Sequence, residues 1–182
     1  MKHIQLPLTE EQAAELRSGD RVELTGILYT ARDAAHKRMQ EALDRGESLP
    51  IEMDGQIIYY VGPTPPKPGE VIGSAGPTTS SRMDAYTPDL LAEGLRGMIG
   101  KGKRSEAVKQ AMMAHRAVYF AAVGGAAALI AKTIRSANVI AYEDLGTEAI
   151  YRLEVDHFPA IVINDTHGHD LYEQGENQYR HR

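Results

Sequence analysis

The sequence contains no cysteine and no tryptophan, and it has only two phenylalanines. Without cysteine the chain cannot form a disulfide bond or use a thiolate nucleophile. It also cannot hold an iron–sulfur cluster or a zinc ion through thiolates of its own. These classes of site are therefore excluded for this chain.

A net positive charge and a long apolar segment are also missing. The formal net charge is -5 at pH 7, and the sequence has no block of basic residues, so the electrostatic footprint of a nucleic-acid-binding protein is absent. The longest uncharged apolar run, residues 117–131, contains Gly124 and Gly125 and is too short for a spanning helix. Residues 1–20 lack an apolar signal region, so we expect a cytoplasmic protein. From its charge and its short apolar run, we expect it to bind neither nucleic acid nor membrane.

What the chain does contain is enough apolar sequence for one folded domain. It has 182 residues, of which 42% are hydrophobic and 25% charged, and these values are ordinary for a globular protein. We expect one domain over residues 1–173 and a polar tail over 174–182.

Apolar, β-branched segments alternate with segments of helical periodicity, which predicts an α/β fold with a mixed sheet and flanking helices. Predicted strands cover residues 21–31, 56–62, 70–75 and 117–123, with a short one before Lys101. Predicted helices begin near Thr9, Arg32, Thr87 and Ser105, and Thr9 with Gln12 resembles a capping box. After Gly125 we expect a helix over 126–135 and then several β segments up to Gly168.

The stretch "GPTTSSRMD" (76–84) places four hydroxyl residues directly before Arg82. One interpretation is an anion-binding loop, because hydroxyls and backbone N–H groups between a strand and a helix can bind carboxylates or phosphates. The Arg82 guanidinium adds a fork that can take a carboxylate bidentately. The alternative is a helix N-cap with an exposed arginine nearby, since Ser and Thr are preferred caps.

Further polar residues follow other predicted strands. Arg32 opens a helix, and His36 lies one turn later on the same face; Lys101 follows the short strand "GMI". A lone helical histidine is more often solvent-facing or hydrogen-bonded than catalytic, and Lys101 with Lys103 can be a solvated turn. In α/β sheets, however, ligands gather beyond strand ends. Three cations at three strand ends of an acidic protein favour an anionic ligand with more than one carboxylate.

The turn "NDTHGHD" (164–170) ends the predicted strand "PAIVI" and is a fourth polar segment at a strand end. Its two histidines and two aspartates suggest a metal site. Turn chemistry is the simpler interpretation of this segment, and we predict no metal bound by this chain.

The motifs "ARDAAHKRM", "GPTTSSRMD", "GKGKRS", "AYEDLGTEAIYRLEV" and "FPAIVINDTHGHDLY" occur in this order. Together they resemble the β subunit of iron–sulfur-dependent hydro-lyases, namely class I fumarate hydratase and L(+)-tartrate dehydratase. The resemblance covers roughly residues 3–173. It implies a swivelling β/β/α domain and the reversible hydration of fumarate, a C4 dicarboxylate, to L-malate.

The same resemblance implies that a [4Fe-4S] cluster is held by cysteines of a larger α subunit, so the chain would work in a hetero-oligomer. It assigns Arg32, Arg82 and Lys101 to substrate binding, and we add Thr79 as a hydroxyl donor to the same ligand. It assigns Thr78 to transfer of the C3 proton and His36 to the active site. "KGKRS" and "YEDLGTEAI" look more like fumarase, whereas "DTHG" looks more like tartrate dehydratase. We favour fumarate hydratase, with tartrate dehydratase or a non-catalytic dicarboxylate-binding module as alternatives.

Overall fold

The structure is a computed structural model that describes residues 1–123 and 127–180. Gly124 and Gly125 lie outside the described residues. The strands are β1 (Lys2–Gln5), β2 (Arg21–Thr30), β3 (Ile57–Tyr59), β4 (Gly97–Gly100), β5 (Val118–Ala122), β6 (Ile134–Ala141) and β7 (Ile150–Asn164). The α-helices are α1 (Glu10–Glu15), α2 (Asp33–Asp44), α3 (Thr87–Ala92), α4 (Glu106–His115), α5 (Ala127–Ala131) and α6 (Leu171–Arg180), and 3-10 helices cover Ser80–Met83 and Glu143–Glu148.

Within the described residues, seven strands form one mixed sheet in the order β1-β2-β3-β4-β5-β7-β6. Strands β2 to β5 are parallel neighbours. The long strand β7 runs antiparallel to both β5 and β2, which closes these strands into a ring. The predicted α/β class with a mixed sheet and flanking helices is confirmed.

Alternation of apolar residues in β3 builds two cores, one on each side of the sheet. Ile57 and Tyr59 belong to a buried cluster inside the ring, where the Tyr59 ring meets Phe158 edge to face with centroids 5.2 Å apart. Ile58 and Tyr60 point to the other side, where α2, α3 and α4 contribute a second buried cluster. Because successive strand residues face opposite sides, one short strand anchors both layers.

Two local predictions agree with the structure in detail. The Thr9 hydroxyl accepts from the Gln12 backbone N–H at 3.1 Å, and the Thr9 N–H donates to the Gln12 side chain at 3.0 Å, which completes a capping box at α1. Ser105 caps α4 by accepting from the Val108 N–H. Both helix starts follow from side-chain chemistry that acts over three residues.

The predicted strand over residues 70–75 is wrong, because this segment carries no strand. The chain before it contains Pro63, Pro65, Pro66 and Pro68, which cannot donate to a sheet ladder. Instead, Thr64 N–H donates to Ser74 O and Gly73 N–H to Thr64 O, each at 3.1 Å. The segment therefore pairs with a nearby loop residue and stays outside the sheet.

The helix predicted over 126–135 is too long, because α5 ends at Ala131 and β6 begins at Ile134. The other differences concern the chain ends and the last strands. The β segments predicted between Ala149 and Gly168 form the single strand β7, and β1 was not predicted. Helix α6 crosses residue 173, and the division into a domain over 1–173 and a tail over 174–182 stays a prediction. Among the described residues, no helix is both long and apolar enough to cross a membrane.

Candidate functional site

Three adjacent parallel strands end at the edge of the sheet where the predicted site residues lie. Strand β2 leads into Arg32, β3 leads into Gly62, and β4 leads into Lys101. Since β2, β3 and β4 are adjacent and parallel, their carboxyl ends lie side by side, and ligands of α/β folds commonly bind beyond such strand ends. The structure thus brings together segments that are distant in sequence.

The loop after Gly76 lies between the ends of β3 and β4. Thr78 N–H donates to Tyr60 O at 2.7 Å, and Lys101 N–H donates back to Thr78 O at 3.3 Å. Ser80 N–H donates to Lys101 O at 2.9 Å, and Thr79 forms an isolated parallel bridge with Lys101. Backbone pairing therefore fixes Thr78 and Thr79 next to Lys101.

The Ser80 side chain anchors the loop to Tyr119 of β5. Tyr119 OH donates to Gly102 O at 2.8 Å, so the buried Ser80 hydroxyl donates to Tyr119 at 2.7 Å. A Cβ at Gly100 would lie 2.0 Å from Ser80 Oγ, so only glycine fits beneath this contact. The 3-10 helix that starts at Ser80 has Thr79 as its N-cap residue, without a side-chain cap bond. The capping interpretation of the hydroxyl run therefore receives no support.

The two predicted arginines meet at the start of α2. Arg82 forms an ion pair with Asp33, the first residue of that helix, and its side chain is still 52% exposed. Arg32 precedes Asp33 and packs against Gly62, where a Cβ would come within 2.9 Å of the guanidinium. Arg32 Nε is buried, and the described residues offer it no hydrogen-bond partner.

Thr78 and Lys101 complete the group on the solvent side. Lys101 is exposed and Thr78 is half-buried. Within residues 1–123 and 127–180, neither the Thr78 hydroxyl nor the Lys101 ammonium takes part in a hydrogen bond or an ion pair. A hydroxyl and two cationic groups, at Arg32 and Lys101, are thus available to an anionic ligand at this edge.

His36 lies behind the site, where it is 1% exposed. Its Nδ1–H donates to the Arg32 carbonyl at 2.8 Å, which leaves Nε2 as a bare acceptor without a partner among the described residues. Burial, together with the smaller effect of the nearby Arg104 cation, lowers the pKa of His36 from 6.5 to about 4. A neutral His36 therefore supports the backbone of Arg32, and its predicted catalytic part stays a proposal.

The free energy of unfolding should fall as the pH drops from about 6.5 to about 4, because the unfolded chain gains a proton on His36 that the folded chain does not. A shift of this size corresponds to about 3 kcal/mol when fully lost. Urea denaturation at a series of pH values measures this dependence. The stability of the His36→Asn variant should depend less on pH over this range, because an asparagine amide does not titrate. The amide can still donate to Arg32 O, so the start of α2 should keep its support. Equal slopes for both proteins would contradict a neutral buried His36.

Arg104 is a site residue that the sequence analysis missed. Its side chain is fully buried, stacked over the rings of Tyr60 and Tyr119 at 5.1 and 4.9 Å. Nε donates to Asp84 at 2.8 Å, and a terminal nitrogen donates to Tyr60 OH at 3.1 Å and to Thr87 Oγ1 at 3.0 Å. It therefore ties the loop after β4 to the segment that carries Arg82. Its position in "GKGKRS" gave no signal of burial.

The "NDTHGHD" turn lies at the opposite end of the sheet. We expected it at a ligand-binding strand end, but β7 runs antiparallel to β2 and β5, so its carboxyl end meets their amino ends. Asp165 accepts from the backbone N–H groups of His167 and His169 at 2.9 and 3.0 Å. It also bonds His169 Nδ1 at 2.9 Å. These hydrogen bonds stabilise the turn itself, and the segment does not contribute to the candidate site.

A groove of about 620 Å³ lies elsewhere, between residues 64–74 and the α5–β6 segment. None of the six predicted site residues lines it. The candidate site is instead an open surface, because Thr79, Arg82 and Lys101 are exposed. Such a surface would need a second molecule to exclude water from a bound ligand.

A family model described as "Fumarase C-terminus" matches residues 1–175. The chain is 38% identical over 172 residues to a protein of Salmonella typhimurium named "Fumarate hydratase class I, aerobic", with 92% of this chain and 30% of that protein covered. It is 40% identical over 164 residues to "Fumarate hydratase 2" of Leishmania major, with 89% of this chain and 29% of that protein covered.

A third relative has nearly the same extent as this chain. It is the Methanocaldococcus jannaschii protein named "Putative L(+)-tartrate dehydratase subunit beta", 38% identical over 173 residues, with 92% of this chain and 89% of that protein covered. The chain thus spans under a third of the length of the two fumarate hydratases and most of the length of this subunit.

Proposed function

The chain belongs to the fumarase C-terminus family, and we propose that it is the β subunit of a hydro-lyase that interconverts fumarate and L-malate. The observation that carries the proposal is the convergence of Arg32, Thr78, Arg82 and Lys101 at the carboxyl ends of three adjacent parallel strands. Cations and a hydroxyl in one place suit a small dicarboxylate. The swivelling β/β/α arrangement of the family is part of the same proposal.

The iron–sulfur cluster implied by the resemblance does not fit this chain, which has no cysteine to ligate it. We therefore assign the [4Fe-4S] cluster to a larger α subunit that would cover the open site. The similarity to a relative named as a β subunit supports a separate partner and a hetero-oligomer.

In this proposal Arg32 and Lys101 bind the two carboxylates of the substrate. Arg32 Nε has no partner among the described residues, so a ligand carboxylate would satisfy a buried donor that otherwise costs free energy. Arg82 is paired with Asp33, but a guanidinium carries five N–H donors and can hold a carboxylate with the remaining ones. The pair with Asp33 would keep Arg82 oriented toward the ligand.

Thr78 is the proposed carrier of the C3 proton. A threonine hydroxyl is a poor base in water, so nearby cations must stabilise its alkoxide form. Lys101 lies next to Thr78, because the Lys101 N–H donates to the Thr78 carbonyl oxygen at 3.3 Å. Fixed cations also stabilise the negative charge that develops on a substrate carboxylate as the proton leaves, which lowers the barrier selectively.

L(+)-tartrate dehydratase is the second candidate. The name of the Methanocaldococcus jannaschii relative favours it. The "DTHG" segment does not, because it lies at the other end of the sheet from Thr78 and Lys101. The geometry of the candidate site is equally compatible with fumarate and with another C4 dicarboxylate.

The proposal is tested by measuring the turnover of several substrates by the complex of this chain with a cluster-loaded α subunit, reconstituted without oxygen. We expect hydration of fumarate and dehydration of L-malate to exceed turnover of L-tartrate and mesaconate. Arg32→Ala should reduce kcat/KM on the preferred substrate at least about 100-fold, because it leaves one carboxylate without a partner. Arg45→Ala, at an exposed arginine paired with Glu47, is the matched control. Preference for L-tartrate would select the second candidate, and full activity of Arg32→Ala would reject the site.

A further inference from the structure

A second group of chemically active side chains lies on the sheet far from the candidate site. His3 in β1 and Glu23 in β2 are directly paired across the parallel strands. His157 comes from β7, on the other side of β2. Three neighbouring strands thus each contribute one residue to the same face. The proposed hydro-lyase reaction uses none of these three residues.

The spacing of the three side chains suits a metal ion. Their candidate ligand atoms all lie within 4.8 Å of one another. His3 Nδ1 is 3.2 Å and His157 Nε2 is 3.8 Å from the same oxygen, Glu23 Oε2. Tetrahedral zinc with bonds of about 2.0–2.2 Å places its ligand atoms roughly 3.3–3.5 Å apart. The distances from Glu23 Oε2 to His3 Nδ1 and to His157 Nε2 are therefore already close to the separation that a zinc ion requires.

The orientation of His157 supplies an independent observation. Its Nδ1 is 2.5 Å from Asp156 Oδ1, so Nδ1 carries the proton and Nε2 is the bare nitrogen that faces Glu23. A carboxylate that fixes the distal nitrogen of a histidine is the usual support behind a metal-binding imidazole. Asp156 is itself held by Arg135 at 3.4 Å. Its contact with His157 is therefore part of a chain of ionic contacts.

The backbone at His157 is also built to direct this side chain. His157 has a φ of 58°, a left-handed conformation that is uncommon for residues other than glycine. Its N–H donates to Thr25 Oγ1 at 3.1 Å, beside the irregularity where β7 pairs with β2 between Leu24 and Gly26. With this local departure from regular strand geometry, the His157 imidazole faces Glu23 and His3. The centroids of the His3 and His157 rings are 5.5 Å apart.

We propose that His3, Glu23 and His157 bind one divalent transition metal of the zinc class, with Asp156 supporting His157. Two imidazoles and one carboxylate are ligands that zinc accepts, and a fourth position stays open to water or to a residue of a partner. All three side chains are accessible, with exposed fractions of 66%, 24% and 58%. The bound metal would fasten the short edge strand β1 to β2 and β7.

Calorimetric titration of the metal-free full chain with zinc chloride tests the proposal, and cobalt(II) absorption reports the geometry. We expect one zinc per chain and the intense visible bands of tetrahedral cobalt. His157→Ala should weaken zinc binding more than about 100-fold, and Asp156→Asn about 10- to 100-fold. His115→Ala, at an exposed histidine of α4, is the matched control and should bind as the unmodified chain does.

Far-UV circular dichroism of the metal-free variants checks that each has folded. Folded His157→Ala with unchanged zinc affinity would overturn the proposal, as would an unmodified chain that binds zinc no better than this variant. If His157→Ala fails to fold, Glu23→Gln decides in its place with the same expected loss. The readout is metal binding alone, so it is independent of the proposed hydro-lyase activity.

Discussion

Replacing Thr78 by alanine should lower kcat for fumarate hydration about 100- to 10,000-fold in the reconstituted complex, with little change in dicarboxylate affinity. This is the range that a positioned proton carrier typically contributes. The backbone bonds that hold Thr78 to Tyr60 and Lys101 do not involve the side chain, so the loop should keep its place. Steady-state kinetics, combined with calorimetric binding of L-malate, separates the two effects.

Two companion variants sharpen this prediction. Thr78→Ser keeps the hydroxyl and should retain much of the activity, whereas Ser81→Ala removes an exposed hydroxyl of the same run and should leave kcat unchanged. Full turnover by Thr78→Ala would reject the proton-transfer role. Loss of malate affinity in Thr78→Ala, together with no turnover by the complex of the unmodified chain, would favour the alternative of a binding module.

Removing the Arg104 side chain should destabilise the fold by about 3–5 kcal/mol, the cost of leaving one partner of a buried ion pair uncompensated. The side chain of Asp84, its partner, is only 15% exposed, and Tyr60 and Thr87 would each lose a donor. Chemical denaturation of Arg104→Ala measures this loss. Arg45→Ala, at a solvent-exposed pair, should change the stability by less than about 0.5 kcal/mol.

A second pair of variants separates charge from packing at Arg104. Arg104→Lys keeps the positive charge but lacks the planar fork that reaches Asp84 and Tyr60 together, so it should remain well below the stability of the unmodified chain. Combining Arg104→Met with Asp84→Asn removes both charges and should be less destabilising than Arg104→Ala alone. If Arg104→Ala were as stable toward denaturant as Arg45→Ala, this result would contradict the claim that the buried pair of Arg104 and Asp84 stabilises the site.

Local chemistry in the sequence predicted those parts of the fold that depend on neighbouring residues. The capping box of Thr9 and Gln12 and the cap at Ser105 follow from residues three positions apart. The positions of Arg32 and Lys101 after β2 and β4 follow from strand boundaries, and parallel pairing brings them to one edge. Their convergence could be expected because α/β folds place parallel strand ends together.

The remaining features depend on pairings that no single-sequence pattern contains. Residues 70–75 look like a strand, yet the proline-rich loop before them holds them outside the sheet. The "NDTHGHD" turn follows a strand, but the direction of β7 takes it away from the site. Arg104 reads as part of a solvated basic turn, and its burial depends on Tyr60 and Tyr119, which are far from it in sequence.

We propose that this chain supplies one half of a hydro-lyase active site. The most direct test is the anaerobic rate of fumarate hydration by the cluster-loaded α subunit alone, by this chain alone, and by the two mixed. We predict that the mixture forms L-malate and that neither protein does so by itself. An α subunit that hydrates fumarate equally fast without this chain, or a mixture that remains inactive with its cluster intact, would contradict it.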